Sequence, residues 1–398
     1  MTTTLTNTQA ALATITGPEH LRASGSALAV APANSDEVAA ILRFANEHGC
    51  AVAPRGGGTK QGWGNPFTPA IVLEMGRMNQ VREHTWQDMT CTVEAGCNWS
   101  AMQSALAQHG QSVALDPLWP DQATIGGVVA TNDSGALRLR YGGLRDLIIG
   151  MTIVLADGTV ARTGGKVVKN VAGYDLHKLM IGAFGTLGVT TSVNFRLHSI
   201  PQSVRTFTVS APAAEPLGKL MLALLHSQLS TVAIQLRGAA QSFDLDVQLA
   251  SLPDVLVTQG EVLDELARDE GLTVKRCAEE VWGARQQLFT QDLVCKGTML
   301  PSAVVEFAER VRGLGGSSVT QANGIMMASF PAVAAEKVPH LRRELEEASG
   351  SLTMLQQPAG GTLACWGATP DSLPLMREIK QRFDSEGVLN PGRFLGGI

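Results

Sequence analysis

The residues best suited to chemistry lie in short glycine-rich runs. Pro54-Arg-Gly-Gly-Gly-Thr59 sets three glycines in succession after a short apolar stretch, Cys50-Ala-Val-Ala53. Glycine admits backbone angles that other residues avoid, and it lets a ligand approach the main chain closely. Successive N–H groups in such a run can converge on one concavity that holds phosphate oxygens. A plain connecting turn has the same composition, so this run alone leaves both uses open. Two further glycine-bearing stretches follow, Ala123-Thr-Ile-Gly-Gly-Val-Val-Ala-Thr-Asn-Asp-Ser-Gly135 and Gly185-Thr-Leu-Gly-Val189.

The elements that must position these runs can be read from periodicity. Residues 35–48 form an amphipathic helix with Ser35 as its N-cap and Gly49 beyond its end. Strands are expected at Cys50–Ala53, Ala70–Glu74 and Met89–Ala95, the last alternating with period two. A second helix spans Asn98–His109. Leu147–Leu155 and Thr159–Arg162 flank Asp157-Gly158, a strong hairpin signal. Gly173–Gly182 reads as a short helix, and Gly185–Leu197 as a turn entering a strand. Past Pro201 the texture changes. Thr206–Ser210, Ala233–Arg237 and Phe243–Leu249 are strand-like, and Leu217–Gln228, Glu261–Glu270 and Ala335–Ala348 are helix-like. A last helix runs over Leu375–Asp384. This mixture predicts an α+β fold.

Bulk properties narrow the function classes. A chain of 398 residues exceeds one ordinary core and predicts roughly two or three domains. With 44% hydrophobic and 17% charged residues a large core is available. The net charge is −5, and no basic stripe stands out, which argues against nucleic acid as the main partner. The six cysteines, at 50, 91, 97, 277, 295 and 365, form no CxxC pair. That argues against an iron–sulfur cluster or zinc ribbon in this chain and favours free buried thiols, with no metal site expected. The N-terminus lacks a basic and apolar signal pattern. No apolar run reaches the ~20 residues of a membrane helix. Cytoplasmic residence is expected, with any link to the inner face of the cell membrane made through a partner.

With these segments in place the chain resembles the flavoproteins with a p-cresol methylhydroxylase (PCMH)/vanillyl-alcohol oxidase type of FAD domain, and among them the FAD-binding subunits of bacterial glycolate oxidase (glycolate dehydrogenase). The resemblance spans nearly the whole chain. It rests on Pro54–Thr59, Ala123–Gly127, Gly164-Gly-Lys-Val-Val-Lys-Asn-Val-Ala-Gly-Tyr-Asp-Leu176, Gly185–Val189 and Leu389-Asn-Pro-Gly-Arg393, five motifs in order. It implies a two-lobed FAD-binding domain over residues 1–203, with lobes of about 1–115 and 116–203. A cap domain over 204–374 and a C-terminal segment over 375–398 that returns to the FAD domain complete the plan. Pro54, Arg55, Gly56, Gly57, Gly58 and Thr59 would form one wall of the FAD cleft. Thr124, Gly126, Gly127, Ser134 and Gly135 would form the other, with N–H donors from both sides. Val189 would bond the adenine through its backbone, and Asn390 would approach the isoalloxazine. Some relatives attach FAD through a histidine at the position of Thr59, so the cofactor is expected to be non-covalent here.

Oxidising a 2-hydroxy acid also needs a cation for the carboxylate and a base for the hydroxyl proton. Related hydroxy-acid dehydrogenases carry a Trp-x-x-Arg segment, a downstream Lys before Leu-Pro, and two histidine segments. Trp282-Gly-Ala-Arg285 and Lys296, ahead of Leu300-Pro301, resemble the first two, so Arg285 and Lys296 are candidate substrate ligands. Gln321-Ala-Asn-Gly-Ile-Met-Met327 has Met where the first histidine is expected, and Pro358–Leu363 lacks the second. His340 lies in a charged helical run and reads as solvent-facing. His177 reads as packing or capping behind the flavin fold. No catalytic base is identified.

The resemblance thus implies an FAD-binding subunit of a complex that oxidises glycolate to glyoxylate. Its partners would be a larger catalytic flavin subunit and an iron–sulfur subunit that takes the electrons. The missing histidines motivate an alternative, a non-catalytic structural or electron-relay paralogue of the catalytic subunit. A stand-alone FAD-dependent alcohol or sugar-lactone oxidase is a further alternative.

Overall fold

The computed structural model describes residues 2–166, 173–277 and 279–398, residues 2–7 by backbone alone. It is α+β, as the sequence pattern predicts, and divides into two compact units. The first comprises Met1–Ser134, Gly143–Ser199 and Thr369–Ile398, and the second Gly135–Gly142 and Ile200–Ala368. The expected boundaries after 203 and 374 therefore move back by a few residues, and an eight-residue excursion, Gly135–Gly142, joins the second unit. The reason is local packing. The helical turn Arg138–Tyr141 lies against the strand Thr231–Gly238, with Leu139 on that unit's apolar core.

The first unit is built on two sheets. One has four strands in the order Leu21–Ser24, Ala27–Val30, Ile71–Glu74, Val52–Arg55, and the last three run parallel. Helix Ser35–Glu47 covers it with Val38, Ile41, Leu42 and Ala45. Its N-cap is Asn34 rather than Ser35. Asn34 sits in extended backbone and accepts from Glu37 N at 2.9 Å, while Glu37 reaches back to Ala33 N. The other sheet is antiparallel, in the order Val81–Thr85, Thr90–Glu94, Val189–Arg196, Ile148–Val154, Val160–Gly164. The expected hairpin at Asp157-Gly158 is present, with Gly158 at φ 82°. Because this second sheet already begins at Val81, the lobes part near residue 80, not 115. Part of the motif Gly164–Leu176, residues 167–172, lies outside the described residues.

The tail returns to the first sheet. After helix Leu373–Phe383, Val52 N donates to Val388 O at 2.8 Å and Asn390 N to Val52 O at 3.0 Å. Buried Asp384 fixes the return. Its carboxylate accepts from Val388 N, Leu389 N and Lys380 Nζ.

The second unit is one eight-stranded antiparallel sheet in the order Val274–Cys277, Ser203–Ala211, Phe243–Ser251, Thr231–Gly238, Ser317–Gln321, Ile325–Phe330, Leu293–Thr298, Ser351–Gln356. Helices Ala214–His226, Pro253–Asp269, Val304–Gly313 and Val338–Glu347 contribute to a core that includes Leu245, Val247, Leu249, Leu236, Cys295 and Phe330. Side chains alternate along a strand, so Asp246, Gln248, Arg237 and Lys296 belong to the opposite, helix-free face. There Asp246, fully buried, accepts from both Nε and Nη2 of Arg237 at 2.6 and 2.9 Å, and also from Thr208 and Gln235.

Candidate cofactor site

In the first unit the glycine motifs converge on one cleft that is partly open to solvent. Its first wall is Pro54–Gln61, where the strand Val52–Arg55 leaves its sheet. The three glycines are needed for different reasons. Gly58 is in the left-handed region at φ +75°. Gly56 and Gly57 are not, but they press against the opposite wall. A Cβ on Gly56 would stand 1.9 Å from Thr124 Oγ1, and one on Gly57 would stand 1.8 Å from Gln122 O. Arg55 pairs with Glu74, its cross-strand neighbour, which also binds Arg22 at 2.5 Å. Burial works against the Glu74 charge. Hydrogen bonds from Arg55 and Arg22 outweigh it and hold the carboxyl below its ordinary range.

The second wall is helical despite its two glycines. Thr124 precedes a helix over Ile125–Thr131. Ile125 N donates to Cys97 O at 3.0 Å and Gly126 N to Ala95 O at 2.7 Å. The expectation that Gly126 offers its N–H to the cofactor is therefore corrected. Gly126 is a site of close packing, where a Cβ would lie 3.2 Å from Ala95. The loop Phe184–Thr190 closes another side, with Phe184 and Gly185 successively left-handed at φ 54° and 68°. Asn390 from the tail holds that bend by donating Nδ2 to Phe184 O at 2.7 Å.

Pro54, Arg55, Gly56, Gly57, Gly58, Thr59, Thr124, Gly126, Gly127, Val189 and Asn390 all line this cleft. Ser134 and Gly135 do not line it. Ser134 is buried at the end of a stretch of the first unit, and Gly135 opens the excursion into the second. Sequence reasoning missed Lys60, Gln61, Met75, Met180, Leu187 and Arg393, which also line it. Lys60 and Gln61 extend the named turn, and Arg393 ends the named terminal motif. Adjacency to those motifs was the one available signal. Arg393 is buried and donates to the main-chain carbonyls of Lys60, Gln61 and Trp63. Burial pushes its guanidinium down to about 10, so it stays cationic at neutral pH.

Two observations test whether a flavin nucleotide suits the cleft. Thr124 Oγ1 and Asn390 Oδ1, both on cleft-lining residues, are buried without a hydrogen-bond partner. Buried polar atoms are usually paired, so these two fit contacts to a ligand. The remaining lining combines main chain at the glycine turn, suited to a diphosphate, with apolar Met75, Ala95, Met180 and Leu187, suited to ring faces. The residues present fit FAD, and no histidine stands at Thr59 to bond it covalently.

In the second unit a strap of short helical turns, Glu279–Gly283, Ala284–Gln287 and Leu288–Thr290, crosses the helix-free face of the sheet. Glu279 accepts from Thr206 and Gln248, Trp282 Nε1 donates to Thr206 at 3.1 Å, and Gln235 donates to Val281 O. Farther along, the strap packs on Ser317–Gln321 and then on the strands Ile325–Phe330 and Leu293–Thr298. Arg285 lies in this strap and is buried. Lys296 lies on the strand Leu293–Thr298, directly across from Met327. Both candidate cations thus belong to one face of the sheet. His340 is 68% exposed, as read from its charged run, and His177 is buried in the first unit. Among the described residues no group of His, Cys, Asp and Glu is arranged to hold a metal ion, and all six cysteines are free.

Fold and cleft together define an FAD-binding domain of the PCMH type. Residues 26–164 match the FAD_binding_4 family, an FAD binding domain. The fold is similar to p-cresol methylhydroxylase with substrate bound, at a TM-score of 0.73 and 14% identity over 98% of this chain and 96% of that one. The chain is a flavoprotein, and its cofactor is FAD. Among curated proteins it is similar to glycolate oxidase subunit GlcD of Bacillus subtilis (strain 168), 39% identical over 178 residues. That match covers 44% of this chain but only 38% of the relative. It is also similar to the D-lactate dehydrogenase of Archaeoglobus fulgidus, 27% identical over 94% of this chain and 92% of that protein.

Proposed function

We propose that this chain is the FAD-binding E subunit of a multi-subunit glycolate dehydrogenase that oxidises glycolate to glyoxylate and passes the electrons to an iron–sulfur partner subunit. The observation that carries the reading is the cleft, where segments 54–61, 124–131, 183–190 and 390–393 meet although sequence separates them widely. The similarity to a glycolate oxidase subunit supports the substrate class. FAD, when bound, supplies the two-electron redox chemistry. The glycine turn would hold the diphosphate, Thr124 and Asn390 would supply polar contacts, and Arg285 and Lys296 would hold a substrate carboxylate. A larger flavin subunit would complete the assembly. Membrane attachment would come through partners, since no helix among the described residues is long and apolar enough to cross a membrane.

One observation favours a second reading, in which this chain is a structural or electron-relay paralogue of a catalytic flavin subunit. The cross-strand neighbours of Lys296 are Met327, 3% exposed, and Thr353, neither of them a base. A thioether is a weak acceptor and takes no proton at neutral pH. Anaerobic glycolate added to the purified chain and to the assembled complex decides between them. The subunit reading expects the flavin of the complex to bleach at 450 nm and the isolated chain to turn over little. A flavin of this chain that stays oxidised inside a turning-over complex would leave only the structural form of the paralogue reading.

A further inference from the structure

Behind the glycine turn lies a buried ion pair that direct cofactor contact does not explain. Lys60 follows the turn immediately and lines the cleft. Its Nζ lies 3.2 Å from Asp133 Oδ2, with both side chains 4% exposed. The same Asp133 oxygen accepts from Leu118 N at 2.8 Å, and Lys60 Nζ also reaches Leu118 O at 3.4 Å. Trp63 and Trp119 present their rings to the ammonium at 5.8 and 5.5 Å. Asp133 stands just past the helix Ile125–Thr131, which is the second wall of the cleft. Lys60 therefore spans from one wall to the foot of the other.

Such a pair is a poor source of stability. Desolvation of both charges offsets most of their attraction, and well-packed neutral replacements are often as stable. A charge pair does have direction, which an apolar contact lacks. The turn it anchors needs direction. Gly56 and Gly57 meet Thr124 and Gln122 so closely that no side chain fits, and a small slide would close the gap or open it.

We propose that Lys60 and Asp133 are positioning residues for FAD. They form a strut that sets the glycine turn against the second wall at the spacing where its main chain faces the diphosphate. The proposal rests on the reading of this cleft as the FAD site. The test removes FAD from the holoprotein and titrates it back into wild type, Lys60→Arg and the double variant Lys60→Met/Asp133→Asn. The double variant neutralises both charges together and keeps an acceptor for Leu118 N. It is expected to match the melting temperature of the wild-type apoprotein while its FAD dissociation constant rises about tenfold or more. Lys60→Arg keeps the charge but lengthens the strut, and is expected to weaken FAD binding about threefold or more while still pairing with Asp133. A double variant that is as stable as wild type and binds FAD as tightly would overturn the strut. Should the double variant not fold, a Lys60→Arg that binds FAD as tightly as wild type would also overturn it. Failure of wild type itself to rebind FAD would overturn the cleft reading.

Discussion

At Gly56 and Gly57 the backbone angles are ordinary, and what excludes a side chain is the far wall. Alanine at either position must displace Thr124 or the Gln122 carbonyl, so Gly57→Ala is expected to purify without yellow colour. Gly62→Ala serves as the control, since a Cβ there meets nothing within 4 Å. Flavin absorbance per chain reads the outcome, and a fully loaded Gly57→Ala would contradict it. Thr124 makes a complementary case. Its orphan hydroxyl is a burden in the apoprotein and an asset only with ligand present, so Thr124→Val is expected to leave apoprotein stability unchanged or raised. FAD affinity should fall by about 1 kcal/mol, the net worth of a typical hydrogen bond. Equal affinity in a titration would mean that this oxygen does not touch the cofactor. Residue identities along the cleft were legible because glycine runs are rare and short. Their reasons were not, because a close approach involves a second segment. Lys60 gave no hint of Asp133, and Gly126 gave none that Ala95 takes its N–H.

Among the elements, the returning tail and the edge of the first sheet control the cleft. Arg393 joins the tail to the loop after the glycine turn through carbonyls of residues 60, 61 and 63. Arg393→Met is expected to lower stability by about 2–4 kcal/mol, the range for a few charge-assisted hydrogen bonds, and to release FAD. Thermal melts with and without added FAD check both effects, and an unchanged melt would refute the clamp. At the sheet edge Arg55 lines the cleft and leans on Glu74. The Glu74 carboxyl is held below its ordinary range in the fold. Its contribution is therefore complete above the unfolded value of about 4.3 and is lost as pH falls through the lower folded value. FAD retention is expected to be flat near neutrality and to decline in acid, and Glu74→Gln should remove part of that slope. Alternating strands and the amphipathic helix Ser35–Glu47 were plain in the sequence. Helix Ile125–Thr131 was hidden, because two glycines and two valines in seven residues are poor helix formers. The strands Ser317–Gln321 and Ile325–Phe330 were hidden for another reason. Both of their faces are buried, so their pattern does not alternate.

For the whole molecule, the absence of a histidine at Thr59 makes a direct prediction. Acid denaturation should leave all the flavin in the supernatant, and flavin that stays with precipitated chain would contradict non-covalent binding. Fold class and the five motifs were readable because each is local. Unit membership was less so, since whether Gly135–Gly142 belongs to one body or the other depends on Leu139 finding a core that is formed mostly by residues beyond 200. The same long reach acts in time. Arg393 bonds a carbonyl 333 positions earlier in the chain, so during synthesis the early strands wait for that partner until residue 393 has been made. Long loops close slowly, and contacts of high sequence separation slow folding. The cofactor is then expected to load late. A nascent chain lacking residues 389–393 has the glycine turn but not the segment that seats it, and tight retention of flavin is expected to mark a chain translated past residue 393. Pulse-labelled ribosome-bound chains stalled before residue 389 are expected to take up no FAD, while those stalled well after residue 393 should load it.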